Sequence, residues 1–250
     1  MNLNCEDLEK DPVFSGPKHE FRQKLILDML NLPKGSRVLD AACGVGNLFF
    51  KLIKYGYDTT GIDLSDINIK ELMKNGKARG LNVDDKVKKM NVLKMDFPDG
   101  SFDGVICGEV LEHIEEDYLV VEELNRVLKK NGVCVVTVPA NPKLWDFNDE
   151  LSGHVRRYNK NQLVKLFEKH GFKVEKINYY GFPLMRFYVK YIYSQMLKKK
   201  ISNERKNEMI NMKIRKFEKL YPLMSYLFYI DKLFNWLPYG IGLIIRGRKI

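Results

Sequence analysis

The chain has 250 residues, 45% hydrophobic and 30% charged, which suits one packed domain with a polar surface and room for an insertion. Its longest uncharged stretch near the C-terminus, Leu233 to Ile245, has 13 residues and is broken by Pro238, Gly240 and Gly242. That is short of the roughly 18 a membrane-spanning helix needs, and acids in the opening MNLNCEDLEKDP argue against a secretory signal. The net charge of +10 is uneven: residues 181–250 hold 15 Lys/Arg, 4 Asp/Glu and 13 of the 29 aromatics, while residues 1–180 hold 27 basic and 28 acidic side chains.

In chain order, Lys18 to Leu30 has helical spacing, with Phe21, Leu25, Ile26 and Leu27 as its apolar face. Strands are predicted over Arg37–Ala41, Asp58–Asp63, Lys86–Val92, Phe102–Cys107 and Val133–Val138. Helices lie between them at Asn47–Tyr55, Ser65–Arg79 and Glu115–Lys129, with Gly132 read as the stop of the last. A sixth unit, helix Lys160–His170 and strand Phe172–Tyr179, follows a loop from Pro139 to Tyr158. This alternation implies an α/β fold, a Rossmann-like doubly wound sheet covered on both faces. Residues 183–238 break the rhythm and read as a helical, basic and aromatic insertion. Gly240–Arg248 is the last strand, so the expected organisation is a core over 1–182, the insertion, and a final core strand within 239–250. Cys5, Cys43, Cys107 and Cys134 show no paired spacing and read as reduced thiols of a cytoplasmic protein.

The sharpest motif runs from Val38 through Asp40, Ala42, Cys43, Gly44 and Gly46 to Asn47, after a strand and opening a helix. Glycines at 44 and 46 allow a tight turn and close approach of a ligand. Phe49 stands where a dinucleotide fingerprint needs a third glycine, which makes a nucleotide-dependent oxidoreductase the least favoured reading. Asp40 leading into the loop suits a ligand with an ammonium group. Asp63 ends the second strand, where a carboxylate can accept both hydroxyls of a ribose; Ser65 is the better N-cap for the next helix. Asp96, in the loop after the third strand, is placed to accept an adenine amino group, or else is a turn residue.

These segments, with Phe102 to Ile106 and the run Glu109-Val110-Leu111-Glu112-His113-Ile114, resemble the successive motifs of class I S-adenosylmethionine methyltransferases. Ala42 and Asn131 stand where that family often has glycine. The resemblance covers about residues 20–180 and implies S-adenosylmethionine as cofactor, with Asp40, Ala42, Gly44, Gly46, Asp63, Leu64, Met95, Asp96 and Glu109 around it. It also implies a seven-stranded sheet whose last strand is antiparallel. Val138 to Ala140, Trp145, Asp149 and Gly153 to Tyr158 resemble a bacterial and archaeal subgroup acting on small or lipid-linked acceptors.

On the acceptor side, His154 is the first choice for base or acceptor contact, and His113 the second, more simply an orienting residue. Trp145, Arg156, Arg157 and Tyr158 are expected at the acceptor, the arginines clamping a phosphate or carboxylate or else pairing with Asp149 or Glu150. Glu109, Glu112, His113 and His154 resemble the metal ligands of some quinone-pathway and small-RNA methyltransferases, but no metal is predicted. The expected activity is transfer of a methyl group to oxygen or nitrogen of a small or lipid-linked acceptor. An RNA methyltransferase using the basic section and a non-catalytic S-adenosylmethionine-binding module are the competing readings. The basic, aromatic insertion is expected to contact anionic membrane peripherally, and no DNA partner is implied.

Overall fold

The computed structural model describes residues 16–193 and 221–250. Seven strands form one sheet in the order β3-β2-β1-β4-β5-β7-β6. They are β1 (Arg37–Ala41), β2 (Asp58–Asp63), β3 (Val87–Lys89), β4 (Phe102–Gly108), β5 (Leu128–Pro139), β6 (Phe172–Tyr180) and β7 (Gly242–Lys249). All pairings are parallel except those of β7, which enters antiparallel between β5 and β6. The helices are α1 (Pro17–Leu30), α2 (Asn47–Lys54), α3 (Asp66–Ala78), α4 (Asp117–Val127), α5 (Phe147–Ser152), α6 (Lys160–Lys169), α7 (Leu184–Tyr188) and α8 (Tyr221–Leu227).

The strands read as unbroken apolar runs because alternate residues feed opposite covered faces. Leu39, Val105, Cys134 and Ile245 pack under α4 and α6 with Val121, Leu124, Leu163 and Phe167. Their neighbours Val38, Ile106, Val135 and Ile244 pack on the other face, against Phe21, Leu25, Ile26 and Leu30 of α1. The described part of the insertion joins this second cluster through Met185, Tyr188 and Phe228. Asp231 is fully buried there and accepts the backbone N–H groups of Leu184 and Met185, both at 2.9 Å, which satisfies the start of α7. Residues 194–220, including Lys198, Lys199 and Lys200, lie outside the described residues, as does Cys5.

Three sequence expectations shift. The helix predicted to Lys129 ends at Val127, and Gly132 lies inside β5; the left-handed residue is Asn131 at φ 64°, a conformation an Asn side chain tolerates. The third strand is three residues long rather than seven, because it pairs only with Gly61–Asp63 at the sheet edge, where exposed Lys88 and Lys89 blunt further pairing. The loop after β5 contains α5, started by a reciprocal cap between Asp146 and Asp149.

Candidate active site

The carboxyl ends of β1, β2, β4 and β5 lie along one edge of the sheet, and these ends and the loops leaving them bear the predicted residues except Met95 and Asp96, which follow β3. Three non-glycine residues take positive φ just past these ends: Ala42 (68°), Glu109 (59°) and Asn141 (60°). Such strain concentrates where a fold holds groups for function. After β1, Gly46 (φ 94°) leaves no room for a side chain, since a Cβ would meet Phe50 at 2.6 Å and Leu72 at 2.8 Å. Gly44 (φ 56°) has nothing within 4 Å on that side and faces open space.

Asp63 is bonded on both oxygens: Gly44 N–H donates to Oδ2 at 2.9 Å, and Ser65 N–H (2.9 Å) and Asn68 Nδ2 (3.1 Å) donate to Oδ1. It therefore ties the glycine loop to the end of β2. Ser65 caps α3, accepting from Asn68 N–H. Asp40 is the informative group. It is buried, and its Oδ2 has no hydrogen-bond partner. Burial, with the Asp63 carboxylate adding to it, pushes Asp40 up to about 7. A buried carboxylate oxygen without a donor is costly, and an ammonium group or N–H donor from a ligand would satisfy it. Leu64 is 64% exposed beside Asp63, an apolar surface on which an adenine ring can lie. Asp96 is exposed and reachable, while Met95 is buried in the core, its backbone N–H donating to Glu123 and its carbonyl accepting from Arg126.

Beyond β4 and β5 a cavity of about 510 Å³ opens, lined by Glu109, His113, Leu144, Trp145, His154 and Arg157 among others. Its volume is that of a drug-sized ligand site. His154 Nδ1 lies 2.7 Å from Asp149 Oδ1 and its Nε2 lies 3.9 Å from Glu112 Oε1. Arg157 Nε donates to the same Asp149 oxygen at 2.8 Å. Burial pushes Asp149 up, but the bonds from Arg157, the Asp146 N–H and His154 outweigh it and hold the carboxyl below its ordinary range. An ionised Asp149 fixes the proton of His154 on Nδ1 and leaves Nε2 free to accept. The His113 ring meets that of His154 edge-on at 4.8 Å, its Nδ1 is 3.3 Å from the Gly153 carbonyl, and burial then the His154 charge push it down.

Glu109 pairs with Arg22 at 3.0 Å and accepts from the Tyr180 hydroxyl at 3.2 Å. Burial alone would raise Glu109; Arg22 and Lys18 overcome it and keep the carboxyl low. Glu112 is fully buried with neither oxygen hydrogen-bonded, and burial followed by Glu109 drives it well above the carboxylate range. Ligand atoms of Glu112, His113 and His154 lie within 4.8 Å of one another, so this group could hold a divalent cation. Lys18 and Arg22 act on Glu112 at the same place, and their charges oppose a metal there.

The structure brings His154, His113, Glu109, Trp145 and Arg157 to one cavity. It directs two predicted acceptor residues elsewhere. Arg156 pairs with Glu115 (3.1 Å) and Asp117 (3.0 Å). Tyr158 is buried and bonds through its hydroxyl to Asp117 (2.6 Å) and to the Leu111 carbonyl (3.2 Å). Sequence reasoning missed Lys18 and Arg22, one turn apart on α1, and Tyr180 at the end of β6, all of which line the cavity. The only signal was a pair of cations at i, i+4 on an otherwise apolar helix face.

A methyltransferase-domain family model matches residues 39–136. The demethylmenaquinone methyltransferase of Geobacillus stearothermophilus is 31% identical over 150 residues, 58% of this chain and 63% of that one. The chain thus spans under two thirds of the length of the curated relatives it matches. A solved protein of Pyrococcus horikoshii OT3 is 26% identical with a TM-score of 0.57 over 72% of this chain and 95% of that one. Phosphoethanolamine N-methyltransferase 2 of Haemonchus contortus, solved with S-adenosyl-L-methionine, is 16% identical with a TM-score of 0.61 over 99% of this chain and 60% of that one. Residues 39–136 are therefore a methyltransferase domain, set in a chain whose motifs and strand order are those of the class I S-adenosylmethionine-dependent methyltransferases.

Proposed function

We propose that this chain transfers a methyl group from S-adenosylmethionine to oxygen or nitrogen of a small or lipid-linked acceptor. The observation that carries this reading is His154, oriented at 2.7 Å by Asp149 and lining a cavity that also reaches Glu109 at the end of β4. In the crevice, Asp40 would take the ammonium of the cofactor, Asp63 its ribose hydroxyls, Leu64 a face of the adenine and Asp96 the amino group, with Gly44 and Gly46 giving access. When bound, S-adenosylmethionine supplies a methyl carbon activated by the sulfonium. The chain's own contribution is alignment and proton removal. Trp145 and Leu144 pack on the apolar part of the acceptor, His154 takes the proton at Nε2, and Asp149 stabilises the resulting imidazolium. The relative's name, a demethylmenaquinone methyltransferase, is in keeping with a small apolar acceptor.

The insertion exposes Trp236 (76%), Leu233 (72%), Tyr226 (67%) and Phe187 (60%) within the basic C-terminal section. We read this surface as a peripheral contact for anionic membrane on the cytoplasmic side, bringing the cavity to a lipid-borne acceptor. Among the described residues no helix is long and apolar enough to cross a membrane.

Calorimetry tests the cofactor assignment. S-adenosylmethionine and S-adenosylhomocysteine are expected to bind in preference to NAD, and Asp63→Ala to weaken both about ten- to a hundredfold, the scale of a charge-assisted hydrogen bond. Unchanged affinity in that variant would place the ribose elsewhere.

A further inference from the structure

The cavity has more positive charge than its own carboxylates neutralise. Six basic side chains line it, Lys18, Arg22, Lys143, Arg157, Arg186 and Lys190, against the three acids Glu109, Asp146 and Asp149. Glu109 is taken by Arg22, and Asp149 by Arg157 and His154. Asp146 caps α5, accepting from Asn148 N–H at 2.8 Å. Of the four cations left, Lys18 is buried where the charges of Glu109 and Glu112 act on it, while Lys143, Arg186 and Lys190 have no carboxylate partner among the described residues. They line the cavity from separate elements: the turn Pro142–Leu144 after β5, helix α7, and the helical turn that continues it. Arg186 Nη1 donates to the Tyr239 carbonyl at 3.0 Å, which positions the guanidinium and leaves its other donors open. Lys190 stands 5.1 Å from the Tyr191 ring centre. The same cavity is lined by the apolar side chains Leu144, Trp145, Val189 and Ile241.

We propose that the methyl acceptor is an amphipathic anion, its phosphate or carboxylate held by Lys143, Arg186 and Lys190 and its apolar body against Trp145. This rests on the methyl-transfer reading and gives that reading a substrate class. These three cations replace Arg156 and Arg157 as the anion clamp, since both of those arginines are bound to acids of the fold. They also belong to the loop after β5 and to the insertion, and among the described residues no hydrogen bond links either segment to Asp40 or Asp63. The cofactor's own carboxylate therefore does not account for them. A guanidinium with two ammonium groups is a strong donor set for phosphate.

The test uses the full chain saturated with S-adenosylhomocysteine, so that the cofactor crevice is filled. Phenyl phosphate and phenol are titrated, read by calorimetry and by quenching of Trp145 in a Trp236→Phe background. Phenyl phosphate is expected to bind at least tenfold more tightly than phenol and to weaken as salt rises. Lys143→Ala and Lys190→Ala, both exposed side chains, are each expected to reduce its affinity about tenfold with S-adenosylhomocysteine affinity unchanged. Phenol binding as tightly as phenyl phosphate, or unaltered affinity in both lysine variants, overturns the proposal. Failure of S-adenosylhomocysteine to bind at all would instead sink the methyl-transfer reading, a separate result. Phosphatidylcholine vesicles with phosphatidic acid form a second arm. Displacement of phenyl phosphate by the vesicles supports the clamp with a lipid headgroup as the source of the anion, and lysine-dependent phenyl phosphate binding that the vesicles leave unchanged supports it with a soluble acceptor.

Discussion

At the scale of single residues, the buried carboxylates at the sheet edge make pH and cofactor occupancy interdependent. Asp40 is lifted by burial to about 7, so between about pH 4 and 7 the folded chain keeps a proton that the unfolded chain has lost. Its stability contribution is therefore present at low pH and declines as pH rises through that window, by about 4 kcal/mol for a shift of this size at roughly 1.4 kcal/mol per pH unit. Asp40→Asn should remove this slope from a series of denaturant melts between pH 4 and 7. A cofactor ammonium favours ionised Asp40, so binding at pH 6 should release up to one proton. Calorimetry in buffers of different ionisation enthalpy measures it, and an equal release from Asp40→Asn would assign the proton to another group. For the acceptor side, His154→Ala should slow turnover about 100-fold or more while cofactor affinity stays near normal. Collapse of cofactor binding would mean that His154 supports the crevice instead. A chelator in the same assay should change nothing, given the cations around Glu112; loss of activity restored by a divalent ion would reassign Glu112, His113 and His154 as ligands.

Among the elements, β7 does more than close the sheet. Gly242, at its start, lies against the ring of Tyr180, where an added Cβ would come within 2.2 Å of the ring. Tyr180 in turn bonds Glu109, and Glu109 holds Arg22 of α1. Three distant segments thus meet at one carboxylate through a contact only glycine permits. Gly242→Ala should destabilise the fold by about 1–3 kcal/mol, the usual range for overpacking, measured by denaturant unfolding. It should also weaken acceptor turnover more than cofactor binding, since the displaced ring lines the cavity. A variant with normal stability would show that the Tyr180 ring can move aside freely.

For the whole molecule, the charge asymmetry sets the expected partner. With 15 basic and 4 acidic residues in 181–250 and near balance elsewhere, an anionic surface should be met by that section. Liposome sedimentation should show binding to acidic lipids, weak binding to neutral ones, and release at high salt, as each basic residue near the surface contributes about 1 kcal/mol and is screened over a Debye length. Neutralising Lys198, Lys199 and Lys200 should reduce the acidic-lipid binding. Equal binding to neutral vesicles would remove the electrostatic argument, and tight salt-sensitive RNA binding without lipid binding would favour an RNA methyltransferase.

By itself the sequence marked most of the strands and, through its resemblance to the class I methyltransferases, the antiparallel last strand and the cofactor class. Strand apolarity, helix caps and glycine spacing are local, and each residue carries its own constraint: Arg37–Ala41 and Asp58–Asp63 are strands to the residue, and Ser65 caps its helix. The acceptor side was less legible because its groups come from far apart in the chain. Asp149 was visible as an ion-pair candidate for an arginine, but that it also orients His154 depends on how α5 turns back at Gly153. Arg156 and Tyr158 look like ligand residues in one dimension, yet folding brings them to Asp117, 39 and 41 positions away. Lys18, Arg22, Tyr180 and Arg186 acquire a shared purpose only when α1, β6 and α7 close on the end of β5. Charge pairing and cavity shape depend on distance in space, which residue order does not encode, so the tertiary structure alone decided which cations pair with acids of the fold and which line the cavity without a carboxylate partner among the described residues.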